Sequence, residues 1–131
     1  MDIDTLLADL SLFDNWQDRY QYLIDMGRGL AAMDPALKTE ENKVRGCQSQ
    51  VWLVVEVDAQ DRLRLWADSD SAIVKGLVGI ILALYDGRAR AELAEVDVDG
   101  VFEQLGLQQH LSINRRNGFY AMVERIKALA R

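Results

Sequence analysis

The stretch from Ala72 to Tyr85 is apolar almost all the way round a helix, with Lys75 as its one charged residue. A helix patterned like that has no solvent face and must be enclosed by other elements. The rest of the chain therefore has to supply a jacket. β-Branched residues in the run also suit a strand. The length, and the Asp68-Ser69-Asp70 cluster ahead of it, favour a helix with an N-cap and carboxylates at its positive end. Asp86-Gly87 closes it. Gly76 and Gly79 inside the run point to close helix packing rather than to a ligand.

Immediately upstream, Val51–Asp58 and Arg62–Asp68 each alternate apolar and polar residues, separated by Ala59-Gln60-Asp61. Folding them about Gln60 sets Val57 opposite Leu63, Val55 opposite Leu65 and Leu53 opposite Ala67. The other face then pairs Asp58 with Arg62, Glu56 with Arg64 and Val54 with Trp66. One face is apolar and the other carries opposite charges, and a slip of one residue would scramble both. Trp52, Val54 and Trp66 interrupt the polar face at the end away from the turn. Either a loop or helix covers them, or they form an open apolar wall.

Helical spacing recurs elsewhere. Ile3, Leu6, Leu7 and Leu10 predict a short opening helix. Asp14 with Gln17 three residues on resembles a capping box for a second helix. Its face is Trp16, Tyr20, Leu23, Ile24 and Gly27; it fades near Met33, and Pro35 ends it. Asp34 to Gln50 has no period and reads as a long connection, of the kind that is usually functional or disordered. Short helices are expected near Ala89–Glu95 and over Val98–Leu105, the latter stopped by Gly106. Ser112 caps a last helix bearing Phe119, Met122, Val123, Ile126 and Ala130. The expected fold class is α+β: a small antiparallel sheet built on the hairpin, with helices packed on one face. A length of 131 residues suits one domain over the whole chain.

A formal charge of −6 argues against a nucleic-acid binder, which would show a basic stripe. The acidic start, Met1-Asp2-Ile3-Asp4, is unlike a secretory leader, and the Ala72–Tyr85 run is short for a bilayer. A soluble cytoplasmic protein is expected, and a single cysteine fits a reducing compartment.

That cysteine, Cys47, lies at the end of the long connection, between Gly46 and Gln48-Ser49. It has no second thiol for an internal disulfide or a metal site. Free cysteines are often buried spectators. The polar neighbours favour instead a thiol kept for its reactivity, which needs local positive potential. Lys43, Arg45 and Arg115-Arg116 are the candidate sources. His110, the only histidine, would complete a thiol-hydrolase arrangement if it met Cys47 and Asp70. The plainer reading makes His110 a packing or capping residue before the last helix, Asp70 a helix cap, and the arginines a solvated pair.

Four strings, taken in order, resemble the SufE/CsdE family of sulfur-acceptor proteins. Trp16-Gln17-Asp18-Arg19-Tyr20 with Leu23-Ile24-Asp25-Met26-Gly27 is similar to the family's opening. Asn42-Lys43-Val44-Arg45-Gly46-Cys47-Gln48-Ser49-Gln50-Val51-Trp52 resembles its cysteine signature, with wording that leans to the SufE branch. Ser69-Asp70-Ser71-Ala72-Ile73-Val74-Lys75-Gly76-Leu77 and the segment from Leu105 to Met122 resemble two further blocks. The departures are Ser71 for alanine, Met26 for leucine, Ala31 for proline and Ile113-Asn114 for a small pair. None touches the cysteine segment.

The resemblance implies that Cys47 takes sulfane sulfur as a persulfide from a pyridoxal-phosphate cysteine desulfurase and passes it to an iron–sulfur scaffold. It implies an activator of that desulfurase rather than an enzyme, with no cofactor of its own, since the pyridoxal phosphate belongs to the partner. It implicates Asp70 and Arg115 near the acceptor loop or partner surface, to which Gly46, Gln48 and His110 are added as supporting candidates; the long connection ending at a rigid hairpin itself suggests that a shielded Cys47 swings out, with Gly46 as its hinge. No nucleic-acid or membrane partner is implied, and the chain is expected as a monomer or homodimer. The competing readings are a self-sufficient Cys/His thiol hydrolase or peroxidase, and a binding module whose thiol is incidental.

Overall fold

The computed structural model describes residues 2–45 and 49–129. The central helix forms over Ala72–Tyr85 and is designated α3. Ten of its residues are buried, including Val78, Ile80 and Ile81. Its cap is Ser71, whose Oγ accepts from the Val74 N–H, and not the Asp68-Ser69-Asp70 cluster. The cluster fails as a cap because Asp68 and Ser69 are still in a strand, which leaves Ser71 the first residue free to turn. The departure at Ser71 thus supplies the helix start.

The strands are β1, Val51–Val57, and β2, Leu63–Ser69. They pair antiparallel in the expected register, with Val57 opposite Leu63, Leu53 opposite Ala67 and Val54 opposite Trp66. At the turn, Asp58 Oδ1 accepts from the N–H groups of Gln60 and Arg62, and Asp61 takes a positive φ of 60°. The short aspartate side chain substitutes for backbone partners there, as it commonly does in turns. One detail of the charged face differs. Arg64 pairs diagonally with Asp58 at 3.8 Å rather than with Glu56, and Arg62 reaches the Gly87 carbonyl.

Helices α1, Ile3–Ser11, and α2, Trp16–Arg28, lie before the sheet. The cap of α2 is Asn15, one residue later than expected, because its amide oxygen takes the Asp18 N–H while its NH2 reaches the Asp18 carboxylate. The helix ends at Arg28 with Gly29 as its C-cap, well short of Met33. Beyond it, Pro35–Leu37 is one turn of 3₁₀ helix. After α3, Arg90–Glu95 is also 3₁₀, followed by α4, Val98–Gln104, α5, Leu107–His110, and α6, Ile113–Leu129. Gly106 stands between α4 and α5 at φ +74°, as its glycine suits. The Ser112 cap is present, with its Oγ accepting from the Arg115 N–H. Phe119, Met122, Val123 and Ile126 are buried as expected; Ala130 lies outside the described residues.

The inner face of the hairpin, with Val51, Leu53, Leu63 and Leu65, shares one apolar cluster with α3 and α6. On the other side of α3 sits α2, and the two backbones nearly touch. A Cβ on Gly76 would lie 2.5 Å from the Leu23 carbonyl oxygen, and one on Gly27 would lie 2.8 Å from the Gly76 nitrogen. Gly79 likewise faces Met26. The fold is therefore α+β, with its helices on one face of a two-stranded sheet.

Candidate functional site

Cys47, Gly46 and Gln48 lie outside the described residues, and so does the expected hinge at Gly46. The residues on either side define the place where the segment is held. On the leading side, the connection from Asp34 is far from structureless. The Asn42 carbonyl accepts from the Leu53 N–H and the Val44 N–H donates to the Val51 carbonyl, each at 2.8 Å. With the Lys43–Trp52 bridge, residues 42–44 act as a short extra strand along β1. The Asn42 side chain also donates to the Leu37 carbonyl at 2.8 Å. These bonds are invisible to periodicity because a strand of this length shows no repeat.

On the trailing side stands Asp70. Its Oδ1 accepts from the Gln50 N–H at 3.0 Å, and its own N–H donates to the Gln50 carbonyl at 3.2 Å. Asp70 is thus a clasp on the cysteine segment and not a helix cap. The described residues on the two flanks are thus paired, Val44 with Val51 and Gln50 with Asp70.

A cleft of about 290 Å³ opens beside Ser49. Val74 and Leu77 of α3 and Phe119 of α6 give it an apolar floor, and Ser112, Asn114 and Arg115 edge it. Arg115 comes from the first turn of α6, where the helix carries its positive end. Among the described residues Arg115 has no carboxylate partner, and its guanidinium donates to the Tyr20 hydroxyl at 3.2 Å. Lys43 and Arg45 instead share Glu40, at 3.6 and 3.2 Å. Of the expected sources of positive potential, Arg115 is the one that borders the cleft free of a neutralising anion.

His110 is not joined to Asp70. Its ring stacks on Trp16, with centroids 4.5 Å apart and planes 9° from parallel, and Trp16 stands edge-on to Tyr20. A row runs from His110 through Trp16 and Tyr20 to Arg115. The structure thus gathers Asp70 and Arg115 around residues 49–50 and gives His110 a packing partner. No hydrogen bond links His110 to a carboxylate among the described residues.

Two further groups emerge only in three dimensions. Asp68, opposite Trp52 on the outer face, is buried and takes Lys38 at 2.9 Å and Lys75 at 3.4 Å. Burial pushes its carboxyl up, but the Lys38 hydrogen bond, the Ser69 N–H and both lysine charges outweigh it and hold the group below its ordinary value. Lys38 also sits 5.2 Å from the Trp52 ring centre, which partly covers the expected apolar wall. Trp66 stays open at 41% exposure. The second group is Arg125 on α6, whose guanidinium donates to the carbonyls of Lys43, at 2.7 Å, and Glu41. Its only sequence signal is a cation beside the buried stripe of Val123 and Ile126.

Among the described residues no cluster of histidine, cysteine and carboxylate groups is arranged to hold a metal ion. No helix among them is long and apolar enough to cross a membrane.

Comparison with known proteins bears on the whole chain. An uncharacterized SufE-like protein of Rhizobium meliloti strain 1021 is 43% identical over 131 residues, covering 98% of this chain and 94% of that protein. A second, from Rhizobium etli, is 40% identical over 132 residues, covering 98% and 89%. The solution structure of a hypothetical protein from Thermus thermophilus superposes with a TM-score of 0.77 at 21% identity, over 98% of this chain and 93% of that one, and so shares its fold. The profile of the SufE family, described as an Fe–S metabolism associated domain, matches residues 4–130. The chain belongs to the SufE family.

Proposed function

We propose that this protein accepts sulfane sulfur on Cys47 from the active-site persulfide of a pyridoxal-phosphate cysteine desulfurase, and delivers it to an iron–sulfur scaffold. The observation that best supports this is the pairing of Val44 with Val51 and of Gln50 with Asp70, next to a cleft lined by Ser49 and edged by Arg115. Covalent geometry alone keeps the Cα of Cys47 within about 7.6 Å of that of Ser49, which lines the cleft. A thiolate that reaches the cleft meets the positive end of α6 and an arginine with no competing carboxylate, and both favour the anion.

The transfer step is a thiolate exchange. The Cys47 thiolate attacks the outer sulfur of the partner's persulfide. The sulfur–sulfur bond of the donor breaks, the donor cysteine leaves as thiolate, and Cys47 becomes the persulfide. No net oxidation occurs. A lone cysteine suits the carrier, because a second thiol nearby would attack the persulfide and release sulfide. The protein itself supplies no cofactor, and it works as a partner that relieves the desulfurase of its sulfur rather than as a self-sufficient enzyme.

Intact-mass measurement after incubation with a desulfurase, pyridoxal phosphate and cysteine tests the proposal. One added sulfur atom is expected on the wild type and none on Cys47→Ser. An unmodified wild type, or a Cys47→Ser protein that still stimulates the desulfurase fully, overturns it.

A further inference from the structure

We infer that Arg125 is a positioning residue for sulfur transfer, fixing the leading arm of the cysteine segment from the opposite side of the arm to β1. Along an extended segment, successive carbonyls point to alternate sides. The Asn42 carbonyl and Val44 N–H face β1 and are paired there. The carbonyls of Glu41 and Lys43 therefore face outward, on an edge that no further strand covers among the described residues. Arg125 takes both with one guanidinium.

Several facts separate this contact from an ordinary surface bond. Glu41 and Lys43 lie 84 and 82 residues before Arg125 in the sequence, so the bond ties the arm to α6. The residue is half-buried, and among the described residues it makes no ion pair, even though the chain holds 21 carboxylates. A planar fork with fixed donors suits two carbonyls on one edge, where a lysine ammonium presents a single point of charge. The same helix supplies the cleft's Arg115 from its first turn. Arg125 thus makes one rigid body of the arm that leads into Cys47 and the helix that edges the cleft.

The functional part of this inference rests on the sulfur-acceptor proposal; the structural part does not. Both are tested on the full chain with Arg125→Gln and Arg125→Lys. In Arg125→Gln, hydrogen exchange at the Val44 and Leu53 amides rises about tenfold, the scale for losing a charge-assisted hydrogen bond. Amides inside the β1–β2 ladder keep their protection. With the desulfurase, kcat for sulfur acceptance falls by a similar factor while KM for the acceptor is unchanged, because the guanidinium faces its own backbone. Arg125→Lys falls between Arg125→Gln and wild type. Unchanged exchange at Val44 and Leu53 overturns the inference, as does equal acceleration throughout the ladder, which marks a merely structural role. A KM rise at constant kcat also overturns it, by placing Arg125 on the partner surface. A wild type that accepts no sulfur refutes the proposed function, while the exchange data still decide whether Arg125 holds the arm.

Discussion

The junction between α2 and α3 and the junction that holds the cysteine segment are made of different materials. At the first, backbone meets backbone through Gly27 and Gly76, with no room for even a methyl group. At the second, a few polar groups, Asp70, Arg125 and the Lys38–Asp68–Lys75 cluster, each grip the chain at one or two atoms. Close packing is unforgiving, because interiors transmit any change of volume. Single polar clasps can be released one at a time at modest cost. The protein therefore sets its least forgiving contact in the helix pair, while the arms beside the cysteine are fixed by a few discrete bonds, each of which can be removed on its own.

The largest effect comes from attacking the first junction. Gly76→Val would place a branched side chain where a Cβ alone would lie 2.5 Å from the Leu23 carbonyl oxygen. Since neither backbone can yield, a loss of about 3 kcal/mol is expected, at the upper end of overpacking costs. Thermal denaturation should show a melting temperature lower by roughly 10 °C. A fall of only a degree or two would mean that α2 and α3 slide apart easily, and the contrast between the junctions would collapse.

Next is Asp68, where the clasp is buried. Asp68→Ala leaves Lys38 and Lys75 without their shared anion. Each lysine side chain is 32% exposed, so water softens the penalty to about 2 kcal/mol in unfolding free energy. The pH dependence has a definite sign. The folded carboxyl titrates below its ordinary value of 3.8, so the unfolded chain binds the proton more tightly. The stabilisation is present above 3.8 and is lost as pH falls through the lower folded value. Urea titrations below pH 4 should therefore show a shallower loss of stability in Asp68→Asn than in wild type. Parallel pH profiles would remove Asp68 from the account.

What can be read from the sequence divides along the same line. Hairpin register follows from period-two alternation with opposite charges, and α3 from a long run that is apolar but for Lys75; both are signals spread over many residues. The glycines of α3 can be read too, because an apolar helix with small residues has one obvious use. The clasps cannot. Asp70 looks like a helix cap because Asp68-Ser69-Asp70 precedes a helix, yet Ser71 is one step better placed. Asn15 displaces Asp14 for the same reason, since caps depend on a single dihedral and a single acceptor. Arg125 touches residues more than eighty positions away, and no local pattern announces such a bond. For Cys47 itself, the family strings carry the functional reading that the composition leaves open.

The Asp70 clasp, at the surface, gives a smaller effect. Asp70→Ala removes the acceptor of the Gln50 N–H but keeps the Gln50 carbonyl paired with the backbone of residue 70. Global stability should change by less than about 1 kcal/mol, since Asp70 is exposed and the lost bond lies at the surface. Alkylation of Cys47 by a small reagent should nevertheless quicken severalfold, because the trailing arm opens more often. Equal alkylation rates in the two proteins would show that the clasp does not govern access to the thiol.

The smallest effect separates a sulfur carrier from a self-sufficient thiol enzyme. His110 is exposed and stacks on Trp16, so His110→Ala removes a ring contact worth about 0.5–1 kcal/mol at most. If Cys47 serves as a carrier, its attacking thiolate is favoured by Arg115 and the end of α6, and His110 takes no proton. Sulfur acceptance from the desulfurase should then stay within about twofold of wild type, because so small a loss of stability leaves the protein folded and touches no reacting group. A thiol hydrolase needs the imidazole as its general base, and its loss there lowers the rate by a factor of about 10² or more. The row His110–Trp16–Tyr20–Arg115 makes the test a fair one, because it connects His110 to the cleft through aromatic rings and not through a proton path. A hundredfold loss on His110→Ala would thus turn a stacking residue into a chemical one and return Cys47 to the enzyme reading.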